Sequence, residues 1–121
     1  MRYMSIYRAA ESGAPPAPEE MARMGAFNEK MTKAGVLIAS GGCLPSMLGA
    51  RVRATNGKVS VTDGPFAETK EVTAGFAIIE ADSKAHAIQL AKEFLAVAGG
   101  DGECEVRAMF TGEGADCGHA D

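Results

Sequence analysis

The sequence predicts an α+β fold in which one antiparallel sheet carries two helices on a single face and an inserted β-hairpin. Three observations lead to this prediction. Several short segments either alternate apolar with polar residues or are wholly apolar, as β-strands do. Two longer segments repeat their apolar residues at helical spacing. An Asn-Gly pair separates two of the alternating runs. In chain order these elements read β-α-β-hairpin-β-α-β, which is the ferredoxin-like, or split βαβ, arrangement.

The first half of the chain predicts a strand, a helix and a second strand. Arg2 to Arg8 alternates with the period of two that is typical of a strand. After a Pro-rich loop, Pro18-Glu19-Glu20 favours a helix start, and an apolar stripe then recurs at spacings of three and four up to Ala34. Gly35 is placed to cap this helix. Val36 to Ala39 is short, apolar and rich in branched residues, which predicts the second strand.

The second half predicts a hairpin, a strand, a helix and a last strand. Asn56-Gly57 between two alternating runs is typical of a type I′ turn, because both of its central residues need a positive φ. Ala74 to Glu80 predicts a largely buried strand, and Asp82-Ser83 can cap the second helix. Gly99-Gly100 ends the apolar stripe of that helix. Glu103 to Phe110 alternates again and predicts the last strand.

One face of this sheet is left without a cover, since two helices cover only the other. An uncovered face of mixed apolar and polar residues favours a dimer in which two such faces pack together around a cleft. The alternation leaves two possibilities for the first strand: the uncovered face carries either Tyr3, Ser5 and Tyr7, or Met4 and Ile6. On the last strand, the uncovered face carries Arg107 and Glu105 if the more polar set points away from the helices.

Length and composition favour one domain, which we place at residues 1–110 and follow with a flexible tail at 111–121. A chain of 121 residues with 46% hydrophobic side chains is of the size that builds a single core. The formal charge of -4, without a basic cluster, argues against direct nucleic-acid binding. The cysteines form no CxxC pair, so we predict no metal site and no cofactor.

The N-terminal segment MRYMSIYRAAESGAPP lacks the apolar centre of a secretory signal. No uninterrupted apolar run approaches the roughly 20 residues that cross a bilayer. We therefore expect a cytoplasmic protein that does not associate with membranes.

The loop after the hairpin concentrates ionisable side chains. Gly64-Pro65 turns the chain directly after a strand, so the carboxylate of Asp63 is held at a strand end. Glu68, Lys70 and Glu71 follow within a few residues. In a dry pocket Asp63 or Glu68 could act as a general base or acid, with Lys70 or Arg107 stabilising developing negative charge. The alternative is a solvated turn, in which Asp63 binds backbone NH groups and Lys70 pairs with a glutamate.

Two strand residues are candidates for holding a ligand. Tyr7 suits a pocket wall that offers a hydroxyl, and it equally suits core packing. Arg107 is able to clamp an anionic ligand, and it is equally able to pair with a carboxylate on a neighbouring strand. Both alternatives stay open at this point.

A nine-residue string, DGPFAETKE, runs from Asp63 to Glu71. It is accompanied by the opening MRYMSIY, the hairpin RATNGKVSVTDGPF, the segment AGFAIIEADSKAHAIQLAKEF and the closing EVRAMF. With these residues the chain resembles, over nearly all of its length from Met1 to about Phe110, the DGPF family of YCII-related proteins. That resemblance implies a dimeric α/β barrel, a homodimer of ferredoxin-like protomers with a cleft near the signature loop.

For function, the resemblance implies a small-molecule ligand and an isomerase or lyase that transfers a proton through Asp63. The wider YCII-related group is similar to muconolactone-isomerase-like enzymes and includes a dehydrochlorinase-type activity that is associated with a His and Asp pair. Asp63 matches the aspartate of that pair. The first helix, PEEMARMGAFNEKMTKA, contains no counterpart of the histidine. In this picture Glu68 and Lys70 tune Asp63, while Tyr7, Arg107 and Glu71 hold the substrate. The alternative that the resemblance implies is a non-catalytic regulatory module associated with an extracytoplasmic-function sigma factor.

Overall fold

The computed structural model describes residues 1–12, 16–66 and 70–110, and the predicted tail at 111–121 lies outside this range. Within it, the predicted α+β, ferredoxin-like fold is confirmed. The elements follow in the order β1 (Arg2–Ala9), α1 (Pro18–Lys33), β2 (Leu37–Gly42), a 3₁₀ turn (Ser46–Leu48), β3 (Ala50–Thr55), β4 (Lys58–Asp63), β5 (Val72–Glu80), α2 (Lys84–Ala98) and β6 (Glu103–Ala108).

Two sheets form in the described part of the chain. Four strands make an antiparallel sheet in the order β2-β5-β1-β6, so the two β-α-β halves interleave as the split βαβ arrangement requires. The hairpin β3–β4 forms its own two-stranded sheet. Its turn residues Asn56 and Gly57 have φ values of 51° and 79°. The positive φ predicted for both turn residues is therefore confirmed.

Local sequence signals explain where both helices begin and end. Pro18 stands in the first turn of α1 with Glu19 and Glu20, where a fixed φ and negative charge suit a helix N-terminus. The predicted cap of α2 is confirmed, since the Ser83 hydroxyl accepts a hydrogen bond from the His86 backbone N–H at 3.1 Å. Gly99 follows α2 with a φ of 71°. Among the described residues, neither helix is long and apolar enough to cross a membrane.

The burial of residues on β1 shows which face of the sheet the helices cover. Tyr3 and Ser5 are buried beneath the helices, and the ring of Tyr7 meets that of Phe94 on α2. The neighbouring residues Met4 and Ile6 therefore point away from the helices. Across β1 and β5 they pair with Ile78 and Phe76. We call the surface formed by Met4, Ile6, Phe76 and Ile78 the open face.

Ion pairs flank the open face on the β6 side. Arg107 donates a hydrogen bond to Glu105 at 2.9 Å, and Arg8 donates one to the same carboxylate at 3.0 Å. These two guanidinium groups hold the pKa of Glu105 below its usual value. At the other end of β1, the N-terminal amine of Met1 pairs with Glu80. An apolar centre with charged margins results, and Arg107 and Glu105 point away from the helices, as one of the two alternatives predicts.

Several strand ends differ from the predicted ones, three of them by two residues or more. Strand β2 continues through Gly41-Gly42, β5 begins at Val72, and β6 ends at Ala108. The glycines extend β2 because they pair with Phe76 and Gly75 across from them. A Cβ at Gly41 would lie 2.9 Å from the Phe76 ring, and a Cβ at Gly75 would lie 2.8 Å from the Gly41 carbonyl oxygen. Close packing between neighbouring strands thus keeps residues in the sheet that locally favour a loop.

Tyr3 lies at the centre of the core with 2% of its surface exposed. Ile79, Ala81 and Ala87 are the buried residues around it. Among the described residues its hydroxyl finds no hydrogen-bond partner. A buried hydroxyl without a partner loses its hydration and gains nothing in return.

The variant Tyr3→Phe is therefore expected to be more stable than the wild type by about 1–2 kcal/mol, because it keeps the ring and removes the unpaired hydroxyl. Urea denaturation followed by far-UV circular dichroism measures the difference, which should move the midpoint and leave the slope unchanged. A variant that is less stable than the wild type would contradict the unpaired state of the hydroxyl.

Candidate functional site

A cleft of about 570 Å³ lies between α1 and the helix-covered face of the sheet. Its roof is the apolar stripe of α1, and its side wall comes from α2. Its floor is formed by the inner residues of β1, β2 and β5. The main apolar residues of the lining are Met21, Met24, Phe27, Met31, Ile79, Leu90 and Phe94.

The cleft exists because small residues form the floor beneath α1. Ser5 on β1, Gly75 and Ala77 on β5, and Ser40 and Gly42 on β2 all line it. Side chains of this size cannot fill the roughly 10 Å that separate packed elements, so volume stays open beneath the methionines. The apolar stripe predicted for α1 therefore forms a wall of this cleft.

Tyr7 is the main polar group on the inner wall. Its ring stands edge-on to Phe94, with the ring centroids 5.1 Å apart. Burial raises the pKa of its hydroxyl, and Cys104 and Glu71 raise it further. The phenol therefore stays protonated at neutral pH and is available as a hydrogen-bond donor.

Gly102 and Cys104 stand beside Tyr7. A Cβ at Gly102 would lie 2.7 Å from Cε1 of the tyrosine ring, so the glycine leaves the space that the ring occupies. Burial raises the pKa of the Cys104 thiol more than its hydrogen bond with Ser5 lowers it. Cys104 is thus an uncharged neighbour of the cleft at neutral pH and not a reactive thiolate.

The first half of the signature string docks on the 3₁₀ turn. Strand β4 ends at Asp63, and the next residue, Gly64, donates its backbone N–H to the Gly49 carbonyl oxygen at 3.0 Å. The backbone N–H of Phe66 donates to the hydroxyl of Ser46 at 3.4 Å. Gly64 approaches the same turn so closely that a Cβ there would lie 1.7 Å from the Ser46 carbonyl oxygen. We call Ser46, Gly64 and Phe66, together with Glu11, the hairpin root.

Glu11 completes the hairpin root from the far side of the turn. Its carboxylate accepts hydrogen bonds from both the backbone N–H and the hydroxyl of Ser46, the latter at 2.7 Å. These bonds lower the pKa of Glu11. The guanidinium of Arg51 lies 3.9 Å from the centre of the Phe66 ring, a cation–π contact that holds the ring against β3. Neither Glu11 nor Ser46 carries a motif signal in the sequence, because their contact joins segments 35 residues apart.

The predicted site residues fall into three places. Tyr7 lines the cleft, and Glu71 is half-buried and near enough to raise the pKa of Tyr7. Asp63 and Lys70 are exposed, and neither belongs to the lining of the cleft. Glu68 lies outside the described residues.

Arg107 stands apart from Tyr7, although we expected the two to hold one substrate. Arg107 pairs with Met4 across the strands and therefore lies on the opposite face of the sheet from Tyr7. Its side chain is 72% exposed and bonded to Glu105. Within one chain, Tyr7 and Arg107 therefore point to opposite faces of the sheet, because the register between β1 and β6 places Arg107 beside Met4. That both residues hold one substrate stays a prediction.

Comparison with known proteins agrees with this architecture. A family model described as the YCII-related domain matches residues 1–110. An uncharacterised protein of Rhizobium meliloti (strain 1021) is 34% identical over 89 residues, which cover 74% of this chain and 72% of that protein. The family match spans the sheet, the helices and the hairpin. The chain belongs to the YCII-related family.

Proposed function

We propose that this YCII-related protein binds a small, mostly apolar molecule in the cleft between α1 and the sheet. The cleft itself is the observation that carries the proposal. Its volume of about 570 Å³ falls within the range of roughly 300–1,000 Å³ that is usual for ligand sites. Its lining is mainly apolar and aromatic with a few polar groups, which is the composition that such sites share.

Different residues would contact the apolar and the polar parts of the ligand. The methionines of α1, Met21, Met24 and Met31, are flexible and polarisable, so they adapt to the shape of an apolar ligand. Tyr7 supplies a neutral hydroxyl that donates a hydrogen bond, and Glu71 beside it supplies an acceptor. A ligand with one hydroxyl, carbonyl or amino group on an apolar frame matches these contacts.

The same proposal includes a homodimer formed through the open face. Met4, Ile6, Phe76 and Ile78 form an apolar centre that the helices do not cover. A two-fold axis through this surface would bring each apolar residue against the same patch of a second copy. The resemblance to dimeric α/β barrels, which are built from two such sheets, supports this arrangement.

Proton transfer through Asp63, as in an isomerase or lyase, stays a prediction. The docked Gly64 fixes the backbone beside Asp63, which supports a defined position for its carboxylate. The second candidate, a regulatory module associated with a sigma factor, finds support in the hairpin. One face of the hairpin exposes Val52, Val59 and Val61, each more than 60% accessible, and such an apolar face suits a protein partner.

Filling the cleft tests the proposed function. Gly25 lines the cleft in the middle of α1, and a Cβ there meets nothing within 4 Å. The variant Gly25→Trp should therefore fold normally and place an indole in the ligand's space. We expect it to weaken binding of the neutral ligand 1-naphthaleneethanol by about tenfold or more, measured by isothermal titration calorimetry.

Gly25→Ala is the matched control. It adds one methyl group, should leave binding unchanged, and should raise the free energy of unfolding by about 0.5–1 kcal/mol because glycine is unfavourable inside a helix. Equal binding by the wild type and Gly25→Trp would contradict a ligand in this cleft. Native mass spectrometry of the freshly purified protein reports in addition whether a ligand is retained and how many chains associate.

A further inference from the structure

The described lining of the cleft contains no cationic side chain. The protein has twelve Lys and Arg residues, and every one of them falls within the described ranges 1–12, 16–66 and 70–110. None of the twelve lines the cleft. The only charged side chain in the described lining is Glu20 at the start of α1. Glu71 adds a second carboxylate close to Tyr7.

Three cationic side chains on α1 and β1 have partners outside the lining of the cleft. Arg23 on α1 donates from Nε to the carbonyl oxygen of Val97 at 2.7 Å, at the C-terminal end of α2. Lys33 pairs with Glu29 at 2.9 Å on the outer side of α1. Arg8 pairs with Glu105 and Glu103 on the far side of the sheet. An anionic group inside the cleft would meet no cationic side chain in the lining to compensate for its desolvation.

The N-terminus of α1 lies beside the cleft, since Pro16 and Glu20 belong to the lining. A helix N-terminus carries a partial positive charge of about half a unit. Glu19 and Glu20 occupy the first turn of α1, where their carboxylates offset this charge. The first turn of α1 therefore carries a net negative charge.

The aromatic rings of the cleft favour the binding of a cation. Tyr7, Phe27 and Phe94 line the cleft, with 5.1 Å between the centroids of Tyr7 and Phe94 and 6.4 Å between those of Phe27 and Phe94. The face of an aromatic ring attracts an ammonium group, and the attraction grows when the group is desolvated. The cluster thus suits an amine on an apolar frame as well as it suits a neutral aromatic molecule.

We propose that the cleft selects neutral and cationic ligands, alcohols and amines on an aromatic or branched apolar frame, and rejects carboxylates and other anions. This inference rests on the proposed function of the cleft and names the class of its ligand. It also assigns Glu20 as the residue that sets the preference at the mouth.

Three ligands with one frame and different charges test the selection. We expect 1-naphthaleneethanol and 2-(1-naphthyl)ethylamine to bind the full 121-residue chain. We expect 1-naphthaleneacetate to bind about tenfold more weakly than the amine at neutral pH and 0.15 M salt. Calorimetry gives the affinities, and NMR chemical-shift changes at the cleft residues locate the binding.

The variants Glu20→Gln and Glu19→Gln test the role of Glu20, with Glu19→Gln as the matched control. Both remove one carboxylate from the same turn of α1, and only Glu20 lines the cleft. Glu20→Gln should reduce the preference for the amine over the acetate by about threefold, whereas Glu19→Gln should change it less because the Glu19 side chain does not line the cleft.

The outcomes separate this inference from the proposed function. Binding of the alcohol together with equal or tighter binding of the acetate would overturn the charge selection and leave the cleft as a binding site. An equal effect of Glu19→Gln and Glu20→Gln would overturn the assignment of Glu20. Absence of binding for all three ligands would overturn the proposed function and the inference with it.

Discussion

The variant Gly64→Ala is expected to lose about 3 kcal/mol of unfolding free energy, because a side chain does not fit between the signature loop and the 3₁₀ turn. A Cβ at this position would lie 1.7 Å from the carbonyl oxygen of Ser46 and 2.6 Å from its carbonyl carbon. Both neighbours are backbone atoms, so no side-chain rotation relieves the overlap. The loop must move away from the turn, which breaks the bond from Gly64 to Gly49 and the bond from Phe66 to Ser46.

Urea denaturation measures this loss, and Gly49→Ala is the control. Gly49 belongs to the same turn, but a Cβ there would lie 3.5 Å from the Ser46 carbonyl oxygen, which is an ordinary contact. The control should therefore stay within about 0.5 kcal/mol of the wild type. Hydrogen exchange would show in addition whether the amides of Gly64 and Phe66 lose protection in Gly64→Ala. A Gly64→Ala protein as stable as the control would show that the loop does not need this contact.

The second large effect concerns association. A lysine at position 6 should convert the proposed homodimer to a monomer, because Ile6→Lys would bury an ammonium group in the apolar contact between the two open faces. Ile6 pairs with Phe76 on β5 and with Glu105 on β6, so it stands at the centre of that face. In the separated chain the lysine would reach water, and the fold should persist.

Light scattering gives the molar mass, and circular dichroism shows whether the chain is folded. Ile78→Lys, on the neighbouring strand of the open face, should give the same result as Ile6→Lys. Val59→Lys is the control, since Val59 is an exposed apolar residue of the hairpin and lies outside the open face. Folded dimers of both open-face variants would contradict the proposed interface, and loss of the dimer in Val59→Lys alone would move the interface to the hairpin.

Much of the fold follows from local patterns in the sequence. The Asn56-Gly57 turn predicts the hairpin because the left-handed conformation strongly favours these two residue types. Ser83 predicts the start of α2 through its hydroxyl, and the spacing of apolar residues predicts both helices. These signals depend on interactions between residues close in the chain, so a single sequence is enough to read them.

The site depended on contacts that no local pattern contains. The two polar residues of the hairpin root, Glu11 and Ser46, come together across 35 residues of chain. The cleft arises from small residues on three strands that lie side by side only in the folded sheet. The separation of Tyr7 from Arg107 depends on the register between β1 and β6.

By itself, then, the sequence determined the order of the elements, the turn and caps between them, and the family to which the signature string points. Only the tertiary structure decided that the helices cover Tyr3, Ser5 and Tyr7, that a cleft remains beneath α1, and that the signature string joins the hairpin root to the neighbourhood of Tyr7. The physical reason is that alternation along a strand defines two faces without naming the buried one. That choice is made by the combined packing of residues distant in the chain.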